Sequence, residues 1–192
     1  FTRLYRYLLR PDLYYLAYKN LYANKGAGTK GVNDDTADGF SKEKVDRIIQ
    51  SLADGTYTPN PVRREYIQKK QNSTKKRPLG IPTFTDKLVQ EVLRMILESV
   101  YEPIFSNNSH GFRPNRSCHT ALKSLKREFS GVSWFIEGDI KGCFDNISHE
   151  WILNHIPMDR DILRKWLKSG YVETGRLFPT DLGSPQGSAI SP

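Results

Sequence analysis

The residues best suited to chemistry are Asp139, which ends an apolar run, and Phe144, which follows five positions later. The run predicts a buried β-strand over residues 133–140. An ionised carboxylate in such a strand is costly unless it is paired or bound to a metal. Asp139 is therefore a candidate metal ligand for chemistry on phosphates, and Glu137 and Asp145 are weaker candidates. A structural aspartate at a strand end is the alternative, and the residues alone leave it open.

A cluster of positive charge lies upstream, between residues 63 and 77. Two predicted strands, 64–68 and 76–82, are joined by a polar turn and form a basic hairpin. Like charges packed together repel unless an anion lies among them, so we predict that the hairpin binds phosphate groups, with Lys69 and Arg77 as the contacts. A solvated hairpin is the alternative. Within residues 63–77 the only acidic residue is Glu65, and the basic ones are Arg63, Arg64, Lys69, Lys70, Lys75, Lys76 and Arg77.

Two loops carry further signals for phosphate binding. Residues 24–31 form a Gly-rich loop whose backbone N–H groups can cradle a phosphate, although a flexible linker is equally plausible. Residues 111–114 form a basic, aromatic turn ahead of a predicted helix. Arg113 and Arg116 are placed there to grip a nucleic-acid backbone, and an ordinary turn between helices is the alternative.

The elements that position these residues are read from spacing and capping signals. Helices and strands mix without strict βαβ alternation, which predicts an α+β fold. We expect residues 4–23 to be helical with a break at Pro11, and residues 171–182 to form a hairpin. Five more helices are predicted. The first follows Ser41, the second begins at Thr85 or Asp86 and ends at Pro103, and the third follows Ser117. The fourth follows Ser148 and the fifth spans residues 159–170, and the third is expected to bury Ala121, Leu122, Leu125 and Phe129.

Composition limits the class of protein. The chain has 192 residues, a net charge of +8 and a pI near 9.5, which favours a polyanionic partner, nucleic acid first and an anionic membrane surface second. No apolar run is long enough to cross a bilayer and no signal peptide is present, so we expect no membrane partner and a cytoplasmic or organellar protein that is not secreted. Cys118 and Cys143 are expected to be reduced thiols. The start at Phe1 suggests a fragment.

Five strings in order carry a family resemblance that covers essentially the whole chain. Together they resemble the N-terminal half of a group II intron-encoded reverse transcriptase, also called a maturase. Retron, diversity-generating and CRISPR-associated reverse transcriptases share several of them and stay as alternatives. The strings are Asn24-Lys25-Gly26-Ala27, Lys76-Arg77-Pro78-Leu79-Gly80-Ile81-Pro82, Gly111-Phe112-Arg113-Pro114, Asp139-Ile140-Lys141-Gly142-Cys143-Phe144-Asp145 and Ser184-Pro185-Gln186-Gly187-Ser188.

The resemblance implies a right-hand polymerase, with fingers over residues 1–84 and helical fingers with part of the palm over residues 85–192. It implies that Asp139 and the Ile140 carbonyl bind metal and that Phe144 is an aromatic gate against a ribose 2′-OH. The other implied contacts are Lys69, Arg77 and Gln186 for the nucleotide, and Lys25, Gly26, Lys30, Arg63, Arg113 and Arg116 for the RNA template.

The implied enzyme uses two Mg²⁺ ions, dNTPs, an RNA template with a DNA primer, and its own intron RNA, whose splicing and mobility it assists. A homodimer is left open. The family's Tyr-x-Asp-Asp turn would lie beyond Pro192, so we expect this segment alone to hold the metals incompletely and to be inactive in synthesis. A splicing-only RNA-binding module is the main rival. An RNA-dependent RNA polymerase is a weaker rival, because such enzymes accept the 2′-OH that Phe144 would exclude.

Overall fold

A computed structural model describes residues 3–24, 26–68, 74 and 76–190. The N-terminal helical region divides as predicted into a 3-10 helix, Leu4–Leu9, and helix α1, Pro11–Tyr22. Pro11 begins α1, because proline fits the first helical position but not a helix interior. The two pieces are joined by the buried Tyr14 hydroxyl, which donates to the Leu8 carbonyl at 2.8 Å.

Helix α2, Lys42–Ala53, begins as predicted at Ser41, whose hydroxyl accepts from the backbone N–H of Lys44 at 3.2 Å. Helix α3, Phe84–Tyr101, begins earlier than the predicted Thr85 or Asp86. The reason is that Thr83 is the cap residue and accepts from the Asp86 N–H, which leaves Asp86 inside the first turn.

A four-stranded sheet has the order β2-β1-β3-β4. Strands β1, Val62–Gln68, and β2, Lys76–Ile81, form the predicted antiparallel hairpin. Strands β3, Tyr171–Glu173, and β4, Arg176–Phe178, form the second predicted hairpin, which is shorter than the predicted range 171–182. The first residues of β1 pair in parallel with β3, so the two hairpins make one sheet.

The remaining helices are α4, Cys118–Glu128, α5, Cys143–Asn146, α6, His149–His155, and α7, Arg160–Leu167. A single apolar core joins the N-terminal helices to α2, α3, α6 and α7. Strands and helices together make the predicted α+β fold. This core contains residues from both sides of position 84, and the domain boundary there stays a prediction. Among the described residues no helix is both long and apolar enough to cross a membrane.

Two expectations about packing are wrong. Residues 133–140 form no strand and lie in the open, with Trp134 90% and Ile136 99% exposed. A strand needs a neighbouring backbone to bond to, and none of the four strands pairs with this segment. Helix α4 forms after Ser117 as predicted but has no buried residue, and Leu122, Leu125 and Phe129 of its expected stripe are exposed.

Candidate functional site

The Pro-Gln-Gly segment lies directly on the edge strand β2. The Gly80 N–H donates to the Gln186 carbonyl at 2.7 Å. A Cβ at Gly80 would lie 2.8 Å from Pro185 Cβ, and one at Gly187 would lie 2.5 Å from Leu79 Cδ1. Gly187 also has φ +109°, which side chains rarely adopt. Two of the motifs found in the sequence are thus joined through glycines that let their backbones touch.

The turn that carries Phe144 is held against the same segment. Ser184 N–H donates to the Phe144 carbonyl at 2.7 Å, and Gly183 N–H donates to the Ile147 carbonyl at 2.9 Å. The buried His149 ring adds a contact, with Nε2 2.7 Å from the Gly183 carbonyl oxygen. Since a carbonyl only accepts, Nε2 is the protonated nitrogen in this bond. Three sequence-distant motifs therefore converge on residues 183–187.

One face of this junction is a polar cavity of about 180 Å³. Phe144 and Gln186, predicted as nucleotide contacts, both line it and are half-buried. Arg64 and Tyr171 also line it, with the Arg64 guanidinium carbon 3.3 Å from the Tyr171 ring centroid. Sequence reasoning missed this pair, because it depends on the parallel pairing of β1 with β3.

The other face carries a cavity of about 360 Å³ between the Gly-rich loop (residues 24–31), the end of β2 and residues 187–189. Lys87 lines it from helix α3, and its Nζ donates to the carbonyls of Thr29 at 2.9 Å and Gly26 at 3.2 Å. Burial lowers the pKa of Lys87, Arg63 lowers it further, and the Asp35 charge opposes both. Sequence reasoning missed Lys87, which looks like an ordinary polar position of an amphipathic helix.

Arg63 is also bound to the Gly-rich loop. Its Nε donates to the Gly31 carbonyl at 3.0 Å, its Nη2 donates to the Lys30 carbonyl at 2.9 Å, and its Nη1 pairs with Glu65. Lys30 and Gly26 are exposed, and Lys30 pairs with Asp34 at 2.7 Å. Contacts of these residues with RNA stay predictions.

Asp35 anchors the chain that leaves the Gly-rich loop. It pairs with Lys44 of α2, and its Oδ2 accepts from the Thr85 N–H at 2.8 Å and the Thr85 hydroxyl at 2.7 Å. Burial on its own would raise the pKa of this carboxyl, but the hydrogen bonds from Lys44 and Thr85 outweigh it and the pKa is lowered. This carboxylate was not among the sequence-based candidates.

Arg113 has partners inside the protein. Its side chain is 6% exposed, pairs with Glu102 at 2.9 Å, and donates from Nη1 to the carbonyls of Ser106 and Ser109. Arg116 is half-buried and donates to the Asn107 carbonyl at 3.2 Å. The predicted RNA contacts of both residues stay predictions.

Asp139 and Ile140 lie in the exposed segment 133–140, and Arg77 is exposed on β2. Lys25 and Lys69 lie outside the described residues. Within residues 3–24, 26–68, 74 and 76–190, no three His, Cys, Asp or Glu side chains are grouped so that they could hold a metal ion. The described residues therefore do not make a complete metal site around Asp139, and no chemical step is derived through one.

Comparison with known proteins adds independent information. The sequence profile of the family described as "Reverse transcriptase (RNA-dependent DNA polymerase)" matches residues 67–192. The chain is 64% identical to the "Group II intron-encoded protein LtrA" of Lactococcus lactis subsp. cremoris, over 100% of this chain and 33% of that protein. It is 45% identical to the "Uncharacterized 91 kDa protein in cob intron" of Schizosaccharomyces pombe, over 97% of this chain and 24% of that protein.

Similarity extends to a shorter relative and to a solved structure. "Protein YkfC" of Escherichia coli is 32% identical, over 99% of this chain and 53% of that protein. A chain of the "Partial Cas6-RT-Cas1--Cas2 complex" superposes with a TM-score of 0.56 at 20% identity, over 96% of this chain and 32% of that one, which supports the fold alone. The chain spans about a third of the length of the first curated relative it matches.

Proposed function

Since the chain belongs to the reverse transcriptase (RNA-dependent DNA polymerase) family, we propose that it forms the fingers and the first part of the palm of a group II intron-encoded enzyme. Residues 1–84 are the proposed fingers, and residues 85–192 the helical fingers and partial palm. The observation that carries the proposal is the convergence of three motifs, in which Gln186 is bonded to β2 and Ser184 to Phe144. Such a junction brings a nucleotide pocket together from distant parts of the chain.

The proposed nucleotide contacts are Phe144, Gln186, Arg77 and Lys69. Phe144 and Gln186 line one cavity, and its polar rim contains Arg64. In this proposal the Phe144 ring packs against the sugar of the incoming nucleotide and excludes a 2′-OH. Arg77 lies on strand β2. In this proposal Arg77 and Lys69 supply positive charge to the triphosphate.

The proposed template contacts are Lys25, Gly26 and Lys30 of the Gly-rich loop, together with Arg116. Arg63 and Arg113 are bonded to protein carbonyls and carboxylates, so we propose that they hold the loops that touch RNA. The net charge of +8 supports a nucleic-acid partner. Intron RNA, an RNA template with a DNA primer, and dNTPs are the proposed partners, and no property of the described residues argues for a homodimer.

Divalent-metal dependence is part of the proposal, with Mg²⁺ as the ion. Asp139 and the Ile140 carbonyl are the proposed ligands from this chain, because hard cations prefer oxygen donors. The described residues around them complete no ligand set, so the proposal assigns these two groups and nothing more.

Primer extension tests the polymerase proposal. The protein that carries this chain should extend a DNA primer on an RNA template with dNTPs and Mg²⁺. Asp139→Asn should lower the rate at least about 100-fold, since metal binding contributes several kcal/mol to the transition state. Glu150→Gln is the control, because it removes an exposed carboxylate on α6 that has no proposed role in metal binding. An equal loss in both variants would contradict the assignment of Asp139.

The rival function is RNA binding for splicing without synthesis, and it is favoured by relatives that are named as intron proteins. A splicing protein should bind its own intron RNA more tightly than scrambled RNA of equal length at physiological salt. Specific binding by a protein that never extends a primer would favour the rival over the polymerase proposal.

A further inference from the structure

Lys87 differs from an ordinary surface lysine in what its ammonium group contacts. It lies in the first turns of α3 and reaches back to the Gly-rich loop, where Nζ donates to the carbonyls of Gly26 and Thr29. These two carbonyls are more than 50 positions away along the sequence, so the contact joins two separate elements. The ammonium group is partly removed from water, which is why its pKa is lowered.

Arg63 repeats the arrangement on the next residues of the same loop. Its guanidinium donates to the carbonyls of Lys30 and Gly31. Four loop carbonyls are therefore directed at two cations on neighbouring elements. In a trans peptide the N–H points opposite to the C=O, so the N–H groups that follow Thr29, Lys30 and Gly31 are directed away from the cations.

The loop has little freedom to move inward. A Cβ on Gly31 would lie 2.7 Å from the Thr83 backbone nitrogen and 2.9 Å from the Pro82 carbonyl oxygen, so the loop backbone already touches the start of α3. The cavity of about 360 Å³ opens between this loop and residues 187–189. Lys87 lines that cavity, and its bonds to the Gly26 and Thr29 carbonyls tie the loop to α3.

We propose that Lys87 is a positioning residue for template binding. It holds the Gly26 and Thr29 carbonyls toward α3, so that the N–H groups of Lys30, Gly31 and Val32 face away from the cations, and it does not itself touch RNA. The proposal rests on the template role of the loop proposed above. In this proposal Lys87 contributes to affinity by ordering the loop before RNA binds. Without its bonds the loop has to become ordered during binding, and the affinity for RNA falls.

Hydrogen exchange in the absence of RNA tests the conformational half of the proposal. Lys87→Met keeps the length of the apolar stem and removes the donor. It should speed exchange of the Ala27 and Thr29 N–H groups, which donate to the Asn24 and Gly26 carbonyls, by about fivefold or more. Lys87→Arg should restore slow exchange, because a guanidinium can also bond two carbonyls. Unchanged exchange in Lys87→Met would overturn the proposal.

The chain offers a matched control in Lys165. Its Nζ also donates to two backbone carbonyls, those of Gly55 at 2.7 Å and Tyr57 at 2.8 Å, at a place that lines neither cavity of the candidate site. Lys165→Met should leave both the exchange of the Gly-rich loop and the KM for template unchanged. An equal effect of both variants on template KM would show a general loss of folding and overturn the specific role.

Kinetics and salt dependence test the functional half. Lys87→Met should raise the KM for an RNA template–DNA primer about tenfold with kcat within about twofold, because preorganisation of a binding loop is lost and the reacting groups are untouched. The slope of the logarithm of RNA affinity against the logarithm of salt concentration should be the same in Lys87→Met as in the parent protein. A slope shallower by about 0.7 would mean that Lys87 itself neutralises a phosphate, and this would overturn the positioning role.

The two proposals fail in different ways. If the parent protein neither binds RNA nor extends a primer, the proposed function fails, and with it the template role of Lys87. If the parent protein is active and Lys87→Met loosens the loop without raising the template KM, the positioning role alone is wrong.

Discussion

Tyr57 donates a 2.6 Å hydrogen bond from its hydroxyl to Asp86 Oδ1 in the interior of the protein. Asp86 is 2% exposed, and its other oxygen accepts from the Thr83 hydroxyl at 2.6 Å and from the Asn60 N–H at 3.1 Å. Burial and then the Asp86 charge raise the pKa of Tyr57, so the phenol keeps its proton. One carboxylate thereby joins the segment entering β1 to the start of α3.

Replacing Asp86 should therefore lower the free energy of unfolding more than replacing its donor Tyr57. Asp86→Ala leaves several buried donors unpaired, and we expect a loss of about 3–5 kcal/mol in the free energy of unfolding. Tyr57→Phe removes one bond and should cost about 1 kcal/mol. Urea unfolding of both variants checks the difference. Equal losses would mean that Asp86 contributes little beyond its bond to Tyr57.

Asp35 predicts a specific acid sensitivity. Its pKa is lowered in the folded protein, so its contribution to stability is present above the unfolded pKa of about 3.9 and is lost as the pH falls through the folded value. Asp35→Asn should cost about 2 kcal/mol near neutral pH, because Lys44 loses its partner. The difference between parent and variant should shrink at lower pH. Unfolding curves from about pH 7 to pH 2 measure this, and a constant difference would contradict it.

Gly80→Ala tests the junction of β2 with the Pro-Gln-Gly segment. The added methyl group would lie 2.8 Å from Pro185 Cβ and 2.9 Å from Val62 Cγ2. We expect a cost of about 1–3 kcal/mol and a raised KM for dNTP, since the backbones must separate. Gly111→Ala is the control, because a Cβ there meets nothing within 4 Å. A dNTP KM unchanged in Gly80→Ala would show that the junction does not shape the nucleotide site.

Phe144→Ala should relax discrimination against rNTPs in the protein that carries this chain. Loss of a steric clash with one hydroxyl should change the dNTP to rNTP ratio of kcat/KM by about 10-fold to 100-fold. Single-nucleotide incorporation with each substrate measures the ratio. Phe105→Ala is the control, because Phe105 lines a separate groove. A ratio that stays constant in Phe144→Ala would remove the gate assignment.

Arg113 and Arg116 should behave differently although both lie near the same turn. Arg113→Ala breaks a nearly enclosed pair with Glu102 and should cost about 2–3 kcal/mol in unfolding free energy. Arg116→Ala should change stability by less than about 0.5 kcal/mol. The salt slope of RNA binding should become shallower only in Arg116→Ala. A shallower salt slope in Arg113→Ala would show that Arg113 contacts RNA directly.

Local signals predicted the helix starts at Pro11 and Ser41 and the hairpin of β1 with β2, because proline, cap residues and turns act over a few positions. Local signals failed to predict structure that depends on contacts between residues far apart in the sequence. Residues 133–140 have strand composition but no strand beside them, and the Arg64–Tyr171 contact exists only because β1 pairs with β3.

Some residues of the candidate site could be predicted from the sequence and others could not, for the same reason. Phe144, Gln186 and Gly80 were found by motif, and the structure brings them together. Lys87 and Asp35 were not found, because their role depends on carbonyls and donors that lie far away in sequence. A bond between a side chain and a distant stretch of backbone leaves no spacing pattern in the sequence.

The mixed sheet has a consequence for the order in which the chain folds. Gln68 and Lys76, paired across β1 and β2, lie eight positions apart, whereas Val62 and Tyr171, paired across β1 and β3, lie 109 positions apart. The first pairing closes a small loop and the second a very large one, so we expect the ends of the large loop to meet after the intervening helices have packed. Val62 therefore pairs with a residue that lies more than a hundred positions later in the chain. We expect the cavity beside Tyr171 to be among the last parts of the molecule to form.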